Sequence, residues 1–303
     1  MKRLTGILPV LPTPFVASGV DNEAMRRLVN FALEAGVDGL VFPGFASEVE
    51  TLTALERASL LETVVESTKG KVPIIAGASA ATVEEVVRHG RQAMQFGISQ
   101  LMVQPPKSIG AGAEAVTAFL LAVAEELPGV DIILQNAPAP RGSDLSPEAV
   151  LEVVRRVAAV RYVKEETLPA GPAISAILAD APEHLAGVIG GGGARYILDE
   201  YDRGACAAMP ALEIADVHVA LDRAYRAGRR GEARALYVKS LPLLVLQAVY
   251  RMRLTKHVLV RRGILDNTIV RAPTPALDHQ AIDDIDCCLG EIGAVALASV
   301  TTA

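Results

Sequence analysis

At 303 residues, 51% apolar and 21% charged, the chain is globular in composition and long enough to bury a sizeable core. Its net charge of −6 argues against a nucleic-acid partner, which would call for a surplus of Lys and Arg. Three cysteines, at Cys206 and the adjacent pair Cys287 and Cys288, offer neither a disulfide framework nor metal-ligand spacing, and so fit a reducing cytoplasm.

The chain begins MKRLTGILPVLPTPF, where Pro9, Pro12 and Pro14 interrupt an apolar run too short to cross a bilayer; neither a signal peptide nor a membrane span is expected. Short apolar runs then recur at Gly6–Val10, Gly39–Phe42, Pro73–Ala76, Gln100–Gln104, Asp131–Gln135, Val160–Lys164, Leu185–Ile189 and Ala205–Met209. They read as eight strands. Between them, stretches such as Asn22–Ala35, Ala54–Lys69, Val83–Phe96, Pro147–Ala158 and Arg195–Arg203 repeat apolar residues at three- and four-residue spacing, the period of a helix with one buried face. Eight alternations predict an α/β fold, a (β/α)8 (TIM) barrel over residues 1–228. Residues 229–303 read as a C-terminal helical extension packed on it. The apolar runs Leu241–Val249 and Ile292–Val300 in that extension would cover barrel helices or a neighbouring subunit. The cluster Arg226, Arg229, Arg230 and Arg234 is interleaved with glycine and glutamate and reads as a solvated helix junction.

Chemistry in such a barrel belongs at the C-terminal ends of the strands, where the following loops converge. Lys164 ends the run Val160–Lys164, and alternation sets it on the face of Tyr162, opposite Val163. An ammonium facing the interior is costly to desolvate, which lowers its pKa toward the range where a neutral amine attacks a carbonyl. A buried Lys164–Glu166 ion pair without chemistry is the other outcome of that placement. The turn at Phe45, Ala46 and Ser47 offers backbone N–H groups and one hydroxyl, enough to bind a carboxylate or simply to lead into the next helix. The run Gly190–Gly193 lets backbone approach a ligand or makes a tight turn, with Gly190 and Gly191 as contact candidates. The five histidines lie singly in helical stretches or at their edges, so no metal site is expected.

Taken together, Gly6-Ile7, Pro12-Thr13-Pro14-Phe15, Gly44 with Ser47-Glu48 and Thr51-Leu52, Asn136-Ala137-Pro138 and Val163-Lys164-Glu165 resemble the dihydrodipicolinate synthase / N-acetylneuraminate lyase family, from Leu4 to about Met209. The resemblance implies a barrel with a C-terminal helical extension, a homo-oligomer (tetramer or dimer), no cofactor, and a Schiff base between Lys164 and pyruvate or another 2-keto acid. Departures bear on the reaction. Gln135 stands where synthases and lyases carry tyrosine, Ala46 with Ser47 replaces a hydroxyl pair, and the tyrosine expected near Lys107 is absent. Gln135-Asn136-Ala137-Pro138-Ala139, with Phe45-x-Ser47-Glu48, is similar to the subgroup containing 2-keto-3-deoxy-arabonate dehydratases, with Asn136 in place of an acid and Pro140-Arg141 as a local difference.

The sequence thus points to a Schiff-base lyase acting on a 2-keto-3-deoxy sugar acid, a hydro-lyase in type. Lys164, Gln135 and Ser47 are the expected catalytic residues, and Phe45, Ala46, Asn136, Arg141, Gly190 and Gly191 the expected substrate contacts. A pyruvate-dependent aldolase or a dihydrodipicolinate synthase-like enzyme is the alternative within the class. A non-catalytic keto-acid-binding barrel is the alternative outside it. A membrane or nucleic-acid partner is not expected.

Overall fold

The computed structural model describes residues 3–300, with side chains through Gly293. These form two compact units, one from 73–209 with the N-terminal residues through Thr5, the other from 6–72 and the chain from Pro210 onward.

The second unit opens with β1 (Gly6–Ile7), the small hairpin β2 (Phe15–Val16) and β3 (Gly19–Val20), α1 (Asn22–Ala35), β4 (Leu40–Val41) and α2 (Ala54–Thr68). The chain running on from β1 forms parallel bridges from Val10 to Val41 of β4 and to Ala211. Asp21 caps α1 by accepting from the Ala24 N–H, and Gly36 ends it with φ of 82°, a left-handed conformation that glycine adopts without strain. Thr53 and Glu56 close α2 with a reciprocal capping box. The hairpin, with two residues per strand, is too short to register as alternation in the sequence.

The first unit contains β5 (Ile74–Gly77), α3 (Val83–Gln95), β6 (Gln100–Val103), α4 (Ala113–Glu126), β7 (Asp131–Asn136), α5 (Pro147–Arg156), β8 (Val160–Glu165), α6 (Ala170–Ala179), β9 (Gly187–Gly190), α7 (Ile197–Asp202) and β10 (Ala207–Ala208). Successive strands pair in parallel, as strand–helix–strand connections require. With β1 and β4, eight strands alternate with helices among the described residues. Gln135, Lys164 and Ile189 stand in one cross-strand row, and Asn136, Glu165 and Gly190 in the next. Adjacent rows face opposite ways, so the first three share one face and the last three the other.

The C-terminal part of the second unit is α8 (Ala215–Arg226), α9 (Arg230–Tyr250), α10 (Met252–Arg261) and α11 (His279–Val300). Within the Leu241–Val249 run, Leu243, Leu244 and Gln247 are buried while Val245 and Val249 are exposed, so it covers intrachain surface along one side only. Ile292 is buried; the side chains of 294–300, the rest of that apolar tail, lie outside the described ones. Around the arginine cluster, Arg229 pairs with Glu232 at exposed positions, as a solvated junction would, while the exposed Arg226 pairs with the buried Asp222. Among the described residues no helix is long and apolar enough to cross a membrane.

Candidate active site

Lys164 lies at the C-terminal end of β8 with 4% of its surface exposed. Its partner is Glu166, two residues on and hence on the same side of the extended chain. The Lys164 Nζ lies 3.0 Å from Glu166 Oε1. Gln135 Nε2, on the neighbouring strand β7, donates to Glu166 Oε2 at 2.8 Å, and Arg141 Nη2 donates to the same oxygen at 2.9 Å. Glu166 therefore gathers three donors from three chain segments. Burial alone would raise its carboxyl, but the Lys164 and Arg141 charges outweigh burial and hold it at about 2.

The loop carrying Arg141 is fixed from both sides. Arg141 and Gly142 donate their N–H groups to the Pro138 carbonyl, and Gln104 Nε2 holds the Arg141 carbonyl at 2.9 Å. A Cβ on Gly142 would fall 2.5 Å from the Ala137 carbonyl oxygen, so this turn closes only around glycine. Arg195, beyond the glycine run, adds a third cation in electrostatic reach of Glu166. Burial lowers its guanidinium below the usual range and Arg141 repels it, with Glu166 opposing.

Several residues expected at the substrate have protein partners in the structure. Asn136 faces away from Lys164: its Nδ2 donates to the Leu145 carbonyl and to Glu165 Oε2, both at 2.9 Å, and its Oδ1 accepts from the Leu145 N–H. Both amide protons are used inside the fold. One residue along a strand exchanges faces, so the neighbour of a site residue is a scaffold residue. Gly190 shares that far face, and the space beside it is filled by Glu200 of α7, whose Oε2 would lie 2.1 Å from a Cβ there. Gly191 borders Glu166, with Cγ at 2.4 Å from its Cβ position. These two glycines are explained by the carboxyl side chains packed on them.

Ser47 belongs to the other unit and is 0% exposed. Its Oγ donates to the Leu11 carbonyl at 2.5 Å and accepts from the Gly44 N–H at 2.9 Å. A serine hydroxyl has one proton, and here it is committed to the backbone. The directed hydrogen bond expected from Ser47 is therefore spent on holding the turn. Phe45 and Ala46 begin the same 3₁₀ turn, Phe45 being 43% exposed with Arg251 5.7 Å from its ring centroid. The next residue, Glu48, has φ of 56° and is held by distant chain. Its Oε1 accepts from Lys256 Nζ at 2.7 Å, and its Oε2 accepts from the Arg271 and Ala272 N–H groups. Lys256 also donates to the Ile269 carbonyl.

Three features went beyond the site residues read from the sequence. Glu166 was seen only as a partner for Lys164 and not as the hub of the cluster, although its two-residue spacing was visible. Glu200 and Lys256 carried no sequence signal, because their partners lie far along the chain.

Strands alternating with helices, and a buried lysine paired with a carboxylate at a strand end beside a fixed arginine loop, define an α/β protein with a charged cluster at the C-terminal end of its strands. The chain belongs to the dihydrodipicolinate synthetase family, whose family model matches residues 3–291. It is 29% identical over 280 residues to an L-2-keto-3-deoxyarabonate dehydratase of Azospirillum brasilense, covering 91% of this chain and 90% of that protein. A 4-hydroxy-tetrahydrodipicolinate synthase of Maridesulfovibrio salexigens is also 29% identical, over 78% of this chain and 81% of its own. Among solved structures, a dihydrodipicolinate synthase from Rhodopseudomonas palustris superposes with a TM-score of 0.87 at 26% identity, covering 95% of this chain and 97% of that one. The sialic acid aldolase of Ruminococcus gnavus shares the fold at 20% identity, with a TM-score of 0.86 over 96% of this chain and 99% of its own.

Proposed function

We propose that this protein is a Schiff-base lyase whose Lys164 condenses with a 2-keto acid, and that its reaction is the dehydration of a 2-keto-3-deoxy sugar acid. The Lys164–Glu166 pair carries the reading. An ammonium and an iminium bear the same charge, so the carboxylate that balances one balances the other, and imine formation leaves no new buried charge uncompensated. Condensation expels water from the C2 carbonyl and forms the iminium. Loss of a C3 proton gives an enamine, which expels the C4 hydroxyl as water once that oxygen takes up a proton. Hydrolysis then returns the lysine and releases a keto acid one water poorer than the substrate.

Gln135 supports dehydration over cleavage. Retro-aldol cleavage needs a base for the C4 hydroxyl proton, and an amide exchanges no proton near neutral pH. With the Ser47 proton committed to Leu11, the substrate's own carboxylate remains as the relay. The likeness to the Azospirillum dehydratase over nine-tenths of both chains adds support. The fold it uses is a closed (β/α)8 barrel over 1–228 with a helical extension over 229–303, in a cytoplasmic homo-oligomer. The many relatives named as 4-hydroxy-tetrahydrodipicolinate synthases, such as that of Maridesulfovibrio, keep carbon–carbon bond formation with pyruvate as the second reading.

Borohydride reduction in the presence of pyruvate tests the covalent step, and a mass gain mapping to Lys164 is the expected result. An unmodified Lys164 in folded protein under saturating keto acid overturns the proposal. Mass analysis of products from a panel of 2-keto-3-deoxy acids then separates loss of water from release of pyruvate.

A further inference from the structure

Glu200 has no part in the chemistry above, yet it stands directly behind it. The residue is 1% exposed, and among the described residues neither of its carboxyl oxygens has a hydrogen-bond partner. Buried polar groups are nearly always satisfied, so a carboxyl with both oxygens unpartnered calls for an explanation. Its Oε2 fills the space a Cβ on Gly190 would need, while Glu166 fills the space beside Gly191, with Oε1 2.8 Å from that Cβ position. The Gly190–Gly191 step is therefore a bare backbone partition with one carboxyl group on each side.

The charges that weigh most on Glu200 are acidic: Glu166 and Glu165 from the end of β8, and Asp199 on its own helix, with Lys164 and Arg141 lying beyond Glu166 as its partners. Asp199 is itself paired with Arg203. The Gly191 N–H dipole opposes them, without reaching full hydrogen-bond geometry. A naked carboxylate in such a place is costly, so the group keeps its proton. Burial first, and then the Glu166 and Asp199 charges, push it up to about 8.

We propose that Glu200 is a positioning residue of the Lys164 site, a neutral acid that keeps the ground behind Gly190 uncharged so that Gly191 and the Glu166 carboxylate stay set against Lys164. The inference rests on Lys164 being the Schiff-base lysine. Ionisation of Glu200 would put a second negative charge across the partition from Glu166, repelling it from Lys164 and loosening the counter-charge on the iminium.

The test compares the wild-type protein with Glu200→Gln and Glu200→Met, measuring the yield of borohydride-trapped pyruvate on Lys164 from pH 6 to 9.5. At pH 9 about a tenth of a group titrating near 8 is still protonated, so wild-type yield should fall roughly tenfold between pH 7 and pH 9. Neither neutral variant should show that fall. Difference infrared spectra supply a readout independent of turnover: the protonated-carboxyl band intensity lost between pH 7 and pH 9 should be larger in wild type than in the Gln variant, where Glu213, pushed up to about 7, still titrates in this range. If neither variant folds, that band measured in Glu213→Gln protein, which removes the other carboxyl pushed up into this range, decides alone. Superimposable trapping profiles, or a missing band, overturn the role of Glu200. Should the wild-type protein trap no imine at any pH, the Schiff-base reading fails and this inference falls with it. Trapping that persists with an unaltered profile in the variants removes Glu200 alone.

Discussion

Replacing Glu200 with Gln should make the protein more stable at alkaline pH while gaining little at acid pH. The carboxyl goes from an ordinary value of 4.5 when unfolded to about 8 in the fold. Between those values the folded state holds a proton that the unfolded state has released. Stability from this group is therefore complete below pH 4.5 and is lost as pH rises toward 8. At about 1.36 kcal/mol per unit, the loss across that window amounts to roughly 5 kcal/mol, a large part of the 5–15 or so kcal/mol by which such a protein is folded. Glutamine has the same shape and no charge to remove, so it escapes this loss. Equilibrium denaturation by urea at pH 5 and pH 8 measures it, because Glu213, another buried carboxyl pushed up to about 7, contributes equally to both proteins and cancels in the comparison. The expected outcome is a stability gap between variant and wild type that widens by several kcal/mol from pH 5 to pH 8. Parallel pH dependences would refute the reasoning, since they would mean that Glu200 titrates alike in both states.

The Glu48–Lys256 pair predicts a strong non-additivity: Lys256→Met alone should cost about 3–5 kcal/mol by stranding the Glu48 carboxylate, while Glu48→Gln with Lys256→Met should recover part of that in a double-mutant denaturation cycle. Asn136→Leu should cost about 1–3 kcal/mol by orphaning the Leu145 N–H, and the ratio of products from a 2-keto-3-deoxy acid should stay at its wild-type value, because Asn136 faces away from Lys164. Gln135→Tyr should shift product from dehydration toward pyruvate release, read by mass as a ratio, with Lys164 trapping intact; a phenol there supplies the acid–base group the amide lacks, an effect worth about 10²–10⁴ in rate where it is well placed.

Periodicity made the architecture legible. Each of the eight apolar runs coincides with a strand to within a few residues, and α1 begins and ends where its apolar spacing says, because local hydrophobic pattern and local backbone agree there. Helices α4 and α6 were not singled out: sequences such as AVTAFLLAVA are apolar nearly all round and lack a clear stripe. Lys164 and Gln135 were singled out because they end apolar runs and sit in a motif, and Arg141 because it departs locally from that motif. The partners of Asn136 and Ser47 were not legible, for a physical reason. A motif names residue types but not the direction in which each side chain leaves the backbone, and both polar groups turned inward to satisfy the chain. Glu200 was invisible because its meaning lies in two glycines that carry no side chain to signal it.

The hold of Lys256, Arg271 and Ala272 on Glu48 spans more than 200 residues of sequence, and this has a consequence for assembly in time. The turn at Phe45–Ser47 leaves the ribosome early, yet Glu48 has no Lys256 counter-charge and no Arg271 or Ala272 N–H donors until the chain through 272 has also been made. Until then a carboxylate at a left-handed position has only water for company, and contacts closed over so long a loop form late and slowly. The early part of the chain can acquire its helices during synthesis, but this turn takes its final form only when nearly the whole polypeptide is available, so a chain stopped before Ile269 would leave it unset.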